Sequence, residues 1–530
     1  MTFTLSPSQQ RAVDGGVDRL TRSIDSTDHR DYETRLTGAA GTGKTASMLA
    51  LLDALDSEPG TTLLMAPTWR AARQLEASTG RPATSIHKAI FAPPKQGENG
   101  QLQFNRLTVP HGSIRRAVID EASMVGTKLV DGDQYVGGLR RWALRKDPKY
   151  ASWRDHQNRV RLFILGDKEQ LTPVQDTWGF DLDNAEFNLT EVFRQALESP
   201  GLDLATQIRE RRFAGWGAFT RWTNKGASDE HGRCECFGSG TNSAGLSGVE
   251  KLVAKVLEGA SDTKDEGGET GAESNEGEAT GMDSGAQTGV DAVIICWTNN
   301  ERQSVNTVWR SRLGLPMTEI VAGERLLSFS NFSGVCNGDL LNVSAVSAPF
   351  IASYQSLGLK RPRDKQGNPS GAGALVNGIP CVAVRIPGFT TIGELLEGKR
   401  ARVGESDEWD DDFADELVRT DEQRSTITPD SLGSALLASI SDFTHFLHVD
   451  STRYPVPRRL EGRTAFFVAR EIPLIDAEFG YGVTCHKMQG SQAQRVGVCV
   501  PNRMADPDEF RRWLYTALTR TRRDLFLLVQ

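Results

Sequence analysis

The run "TGAAGTGKT" (37–45) sets Gly38, Gly41, Gly43, Lys44 and Thr45 in a pattern that fits G-x-x-x-x-G-K-[ST]. Glycines in such a turn let successive backbone N–H groups face inward around phosphate oxygens. A helix after the turn adds the positive end of its dipole. Lys44 supplies a point charge that reaches β and γ phosphates, and the Thr45 hydroxyl suits a Mg2+ ligand. Further on, "AVIDEASM" ends an apolar run in Asp120 and Glu121. An aspartate at a strand tip holds the metal's shell while a glutamate beside it orients attacking water, the division of labour that in-line phosphoryl transfer needs. An acidic pair alone is common on surfaces. After a phosphate loop, in the same rhythm of elements, it points to nucleotide hydrolysis.

These groups need a scaffold, and the apolar pattern supplies one. The β-like runs "YETRL", "TTLLMA", "RRAVID" and "VRLFILGD" accompany the helical stretch "ASMLALLDAL", in which Met48, Leu51, Leu52 and Leu55 fall on one face. Strands alternating with helices predict an α/β fold with a parallel sheet covered by helices. Downstream, "DAVIICWT", "RVGVCV" and "DLFLLVQ" are again short buried-strand runs, so a second α/β domain is expected. The predicted division is a first domain over 1–258 and a second over 290–320 and 479–530, split by a Gly-rich, β-leaning insertion at 321–478. The stretch 259–289 is Gly, Glu, Ser and Thr with hardly an apolar side chain. It cannot bury enough surface to offset its ordering entropy and reads as a disordered linker or surface insertion.

At 530 residues the chain is too long for one hydrophobic core. Seven scattered cysteines, an odd number, do not make a disulfide framework. "HGRCEC" offers one Cys-x-Cys without a second ligand pair, so no structural metal is expected there. The first residues lack a basic-then-apolar leader, and no apolar run approaches the roughly 18–20 residues a membrane span needs. A cytoplasmic protein with no membrane partner is the expectation. The net charge of −8 is unevenly spread. Residues 262–283 hold eight acidic residues and one lysine, and 405–422 hold ten and one arginine. Outside these stretches the chain is net positive, so its overall acidity does not exclude a polyanionic partner.

Four further motifs complete the set: "GDKEQLTPV" (166–174), "LTEVFRQ" (189–195), "YGVTCHKMQGS" (481–491) and "YTALTR" (515–520). In this order, at both ends of the chain, the series resembles superfamily 1 helicases of the RecD-like and Dda-like group. The linker and much of 340–475 carry no such match. The resemblance implies two RecA-like parallel-sheet domains, with a β-hairpin insertion in the first and an SH3-like barrel in the second. It implies ATP and Mg2+, with the nucleotide in a cleft between the domains. Gln9 of "LSPSQ" would then read the adenine edge, and Gln170 would sense the γ-phosphate. Arg194 and Arg520 would neutralise charge developing on the transferred phosphoryl group.

The same resemblance assigns a track. Pro67 and Thr68 of "APTWRAA", Thr84 and His87 of "TSIHKAI", and Thr484, His486 and Lys487 of "TCHKMQGS" match positions that contact single-stranded DNA in the family. Hydroxyl, imidazole and ammonium groups suit sequence-blind phosphate contact, and aromatic faces stack on any base. Trp69 departs from the family pattern and offers such a face. The family places a strand-separating pin in the interval 91–113, where Gly97 to Gly100 supplies a turn and Gln101 to Val109 a strand-like arm. Phe104 on that arm is either the wedge or a buried anchor. Gln492 stands where many relatives carry an acidic residue, which weakens a ribose contact there.

The expectation is a monomeric, ATP-dependent DNA helicase that moves 5′ to 3′ on single-stranded DNA, acts at duplex junctions and has replication or recombination proteins as partners. One rival is a translocase that displaces proteins and unwinds little. Another is a nucleotide-gated nucleic-acid-binding protein without turnover; intact Lys44, Asp120, Glu121, Gln170 and both arginines argue against it. RNA as the track is a third, because preference for the 2′-hydroxyl is not legible in these motifs.

Overall fold

The structure, a computed structural model, describes residues 5–22, 28–55, 61–91, 95–96, 102–103, 114–130, 138–144, 159–174, 176–192, 200–210, 227–229, 232–238, 247–258, 292–330, 334–357, 361, 363, 366–369, 373–395, 434–460, 472–501 and 506–529. The acidic stretches 259–289 and 405–422, together with Phe104 and Arg194, lie outside the described residues. Two compact units divide the chain. The first holds Met1–Glu235, Met488–Gln492 and Asn502–Leu525; the second holds Cys236–Lys487, Ala493–Pro501 and Phe526–Gln530.

In the first unit six parallel strands form one sheet, in the spatial order Ala83–Ser85, Thr62–Ala66, Arg116–Ile119, Arg161–Gly166, Glu33–Gly38 and Phe187–Leu189. The central strands are apolar on both faces, and both faces are covered, as a parallel sheet requires. One side packs Leu36, Val118 and Phe163 against Ala12 and Leu20 of the helix Pro7–Thr21 and Met48, Leu51 and Leu52 of the helix Lys44–Leu55. The other side gathers Met65, Ile119, Ile164, Phe180 and Leu182. Full burial of one such side chain contributes about 1.5–3 kcal/mol. Ser6 starts the first helix with a reciprocal capping box to Gln9, and Pro7 occupies its first turn. Within 91–113, Lys95–Gln96 and Leu102–Gln103 pair as antiparallel strands.

In the second unit Gly482–Thr484, Ala292–Cys296 and Ala493–Val500 lie side by side in parallel. The helices Gly248–Leu257 and Asn299–Arg312 each begin with a capping box, Ser247 with Glu250 and Thr298 with Glu301. They bury Leu252, Val256, Val305 and Trp309 against Ile294. The segment from Arg325 to Phe479 is β-rich. Arg325–Ser328 pairs antiparallel with Leu340–Asn342 and Ala477–Phe479. A second sheet is built on Ile379–Arg385, which pairs antiparallel with Ala345–Val346, Phe350–Ala352 and His445–His448. A buried ion pair, Arg310 Nε to Glu324 Oε1 at 2.6 Å, ties the helix Asn299–Arg312 to the start of this segment. Among the described residues no helix is long and apolar enough to cross a membrane.

Candidate nucleotide and nucleic-acid sites

The strand Glu33–Gly38 runs into a loop that turns through Gly41 (φ 79°) and Gly43 (φ 76°) before the helix Lys44–Leu55. Both glycines occupy the left-handed region, where a Cβ is strained. Thr42 Oγ1 closes the turn by donating to the Ala39 carbonyl at 2.8 Å. Lys44 Nζ is folded onto the loop, donating to the Gly38 carbonyl at 2.7 Å and the Ala39 carbonyl at 3.1 Å. Thr45 is exposed in the helix's first turn. Gln9 is buried: its Nε2 donates to the carbonyls of Thr42 at 3.2 Å and Gly43 at 3.4 Å, while its Oε1 accepts from the Ser6 amide at 2.9 Å. The Gln9 amide therefore braces the phosphate loop.

Asp120 follows the strand Arg116–Ile119, and Glu121 has φ 52°, the one non-glycine residue with a positive φ among those described. That conformation costs about 1–2 kcal/mol. It points the Glu121 amide at Asp120 Oδ1, 2.8 Å away. Burial, then the neighbouring Glu121 charge, pushes the Asp120 carboxyl up to about 6, against the Glu121 amide and the Lys44 charge. Adjacent carboxylates that repel each other are a donor set that a divalent cation satisfies, and the Thr45 hydroxyl adds a hard oxygen of the kind Mg2+ prefers.

The segment 167–171, "DKEQL", meets the helix Pro507–Leu518 along one stripe. Arg511 Nη1 pairs with Glu169 Oε2 at 2.6 Å, and Arg512 Nη1 donates to the Lys168 carbonyl. Tyr515 Oη donates to Asp167 Oδ2 at 2.7 Å, and the Leu171 amide donates to Thr516 Oγ1 at 2.9 Å. Positions 511, 512, 515 and 516 share a helix face by the 3.6-residue repeat. The Tyr515 hydroxyl also accepts from the Ala40 amide at 3.0 Å. One phenol thus joins the phosphate loop, "GDKEQL" and "YTALTR". Burial raises its pKa well above the usual value, so it stays a donor to Asp167. Gln170 beside it is buried, and its Oε1 has no hydrogen-bond partner among the described residues. A buried polar atom left so is costly and suits a ligand. Arg520 is buried, with Nε on the Thr516 carbonyl at 3.0 Å, Nη2 on Thr519 Oγ1 at 2.9 Å and Nη1 on the Ser491 carbonyl at 3.4 Å.

Of the positions matched to a DNA track, Thr68 caps the helix Trp69–Thr79 by accepting from the Ala71 amide at 3.1 Å, with Pro67 just before it. Thr84 is buried and its hydroxyl has no partner among the described residues. His87 is exposed, its ring 5.7 Å from that of Phe91, and Lys88 Nζ stands 4.5 Å over the Trp69 ring. In the second unit Thr484 ends its strand, and His486 and Lys487 lie in the short helix Cys485–Met488. Burial lowers the pKa of His486. It also takes Lys487 down to about 8, helped by the charges of Arg459 and Arg302.

Comparison with known proteins bears on the same stretches. Residues 23–132 match the AAA domain family, and residues 479–528 match the UvrD-like helicase C-terminal domain. The chain is 29% identical over 187 residues to the ATP-dependent RecD2 DNA helicase of Deinococcus radiodurans, over 34% of this chain and 22% of that protein. It is 27% identical over 194 residues to the ATP-dependent DNA helicase dda of Enterobacteria phage T4, over 35% of this chain and 39% of that protein. Over these segments the chain is similar to superfamily 1 helicases of the RecD and Dda type. The aligned parts span well under half the length of either relative. A Pif1 helicase from Bacteroides in complex with ADP-AlF3 and ssDNA is 15% identical, with a TM-score of 0.42 over 99% of this chain and 92% of that one.

In this RecD/Dda-type chain the motifs legible in sequence lead to Gln170 and Arg520, yet Tyr515 and Asp167 sit in the same quoted motifs and are not singled out by them. Their hydrogen bond spans 348 positions, a pairing no spacing rule reveals. Arg194 lies outside the described residues.

Proposed function

We propose that this RecD/Dda-type chain is an ATP- and Mg2+-dependent DNA helicase that moves 5′ to 3′ along single-stranded DNA. The observation that supports it best is the convergence of phosphate loop, "DKEQL" and the helix Pro507–Leu518 on Tyr515. In this reading Lys44 exchanges the carbonyls of Gly38 and Ala39 for phosphate oxygens. Glu121, fixed by its left-handed backbone, orients the attacking water. Mg2+ held by Thr45 and Asp120 would neutralise phosphate charge. Gln170 reads the γ-phosphate by donating from Nε2, while its unpartnered Oε1 accepts from water, and Arg520 leaves the carbonyls of Thr516 and Ser491 to meet charge on the transferred group, with Arg194 as the second arginine. Gln9 reads adenine after releasing the loop.

Pro67, Thr68, Thr84 and His87, and separately Thr484, His486 and Lys487, contact single-stranded DNA. The hairpin at 91–113 serves as the pin with Phe104 as its wedge, and the β-rich segment Arg325–Phe479 is an SH3-like barrel. The test is strand displacement on duplexes with a 5′ or a 3′ single-stranded tail, with Lys44→Ala as the inactive control. Unwinding from the 5′ tail alone supports the whole reading. DNA-stimulated hydrolysis without unwinding from either tail replaces it with a translocase, and absence of hydrolysis ends it.

A further inference from the structure

Phe329 follows the strand Arg325–Ser328 in the second unit and is partly exposed. Three cations surround its ring: Arg459 Cζ lies 4.1 Å from the centroid, Lys487 Nζ 4.9 Å and Arg302 Cζ 5.6 Å. Neither the nucleotide site of the first unit nor core packing explains why three like charges converge on one aromatic. Two carboxylates are close by, Glu478 on Arg302 Nη2 and Asp476 at 3.6 Å from Arg459 Nε. They leave the cluster with excess positive charge. Arg302 is buried, and its Nε and Nη1 have no hydrogen-bond partner among the described residues. Buried guanidinium N–H groups left unpaired are expensive, and an anion is the partner that satisfies them. The ring holds the cations at its face and lets them converge in the absence of that anion.

We propose that Phe329, Arg302 and Arg459, together with Lys487, form a phosphodiester-binding site for single-stranded nucleic acid in the second unit. The site rests on the DNA-motor reading above and extends it to residues no motif marks. Its chemistry is backbone recognition: three cations with planar or compact heads suit phosphate oxygens and carry no base preference. The first unit has a smaller counterpart in Lys88 over Trp69, beside the track residue Thr68. Lys487 Nζ donates to Asn337 Oδ1, and burial with the two neighbouring arginines lowers its pKa to about 8, so an added anion would favour its charged form.

The test is anisotropy of a labelled oligo(dT) without nucleotide, across a salt series, for the wild-type chain and for Arg459→Ala, Arg459→Lys and Phe329→Leu. Each phosphate neutralised on a single strand contributes about 0.7 to the slope of log affinity on log salt. Arg459→Ala is expected to flatten the slope by about that amount and to weaken binding several-fold at low salt. Arg459→Lys, which keeps the charge, should restore the slope. Phe329→Leu, which keeps volume but removes the ring's negative face, should weaken binding at least as much as Arg459→Ala. Wild-type affinity and slope in both Arg459→Ala and Phe329→Leu overturn the site while leaving the motor reading intact. A wild-type chain that shows no salt-dependent binding to oligo(dT) overturns the motor reading and the site with it.

Discussion

Replacing Tyr515 by Phe removes one oxygen and nothing else from the side chain that joins the phosphate loop to "DKEQL". The oxygen makes two hydrogen bonds, one to the Asp167 carboxylate at 2.7 Å and one from the Ala40 amide at 3.0 Å. A buried bond to a charged group contributes about 1.5–3 kcal/mol. Ala40 is only partly buried, so water can reach its amide and the cost of orphaning it falls at the low end, about 1 kcal/mol. Asp167 keeps its bond from the Glu169 amide at 3.0 Å, which limits the damage to one carboxylate oxygen. The sum is about 2.5–4 kcal/mol, which corresponds to a fall of about 5–15 °C in the thermal transition of a unit this size. Scanning fluorimetry of the ligand-free chain gives the shift, and a double-mutant cycle with Asp167→Asn isolates the pair. The coupling energy should exceed about 1 kcal/mol. A shift below about 1 °C, or single effects that add to within about 0.5 kcal/mol, would refute the claim that this hydroxyl holds the two segments together.

Other expectations are independent of that bond. Mg2+ with a non-hydrolysable ATP analogue at 100 times its Kd should stabilise the wild-type chain by about 2.7 kcal/mol, and Lys44→Ala should abolish most of the shift. Glu121→Asn, which tolerates the left-handed backbone better, should raise stability by up to about 1 kcal/mol in urea while cutting phosphate release at least about 100-fold; retained turnover would exclude Glu121 as the water-orienting group. Arg310→Met strands Glu324, which is 0% exposed, and should cost about 3–5 kcal/mol, with Arg310→Met/Glu324→Leu recovering much of it in equilibrium unfolding. Lys487 is charged below about 8 and neutral above it, with Arg302, Arg459 and Asp476 facing it. Affinity for oligo(dT) should therefore fall as pH rises from 7 to 9, and a flat profile would mean that Lys487 does not contact phosphate.

The strands were legible because burial writes itself as apolar runs. "YETRL" becomes Glu33–Gly38, "VRLFILGD" becomes Arg161–Gly166 and "DAVIICWT" becomes Ala292–Cys296. The phosphate loop was legible because its chemistry is local: five residues and a turn suffice. What spacing could not show were encounters between distant segments. Tyr515 with Ala40, and Phe329 with Arg459 and Arg302, depend on how sheets and insertions fold back. Gln9 illustrates the intermediate case, since its position is found from "LSPSQ" but its double commitment to Thr42 and Gly43 is not. Glu121's backbone was likewise invisible, because nothing in "DEAS" marks a positive φ.

The bond between Ala40 and Tyr515 joins residues 475 positions apart. At roughly 5–20 residues per second of synthesis, the phosphate loop leaves the ribosome roughly 25–95 seconds before its partner exists. All of Cys236–Lys487 is made in that interval. The first unit therefore cannot finish folding in the order in which it is translated: Ala40 and Asp167 wait, half assembled, while the second unit is produced. A nascent chain arrested in the second unit would carry the phosphate loop without Tyr515 and Arg520. Closure so late couples completion of the nucleotide site to prior synthesis of the second unit.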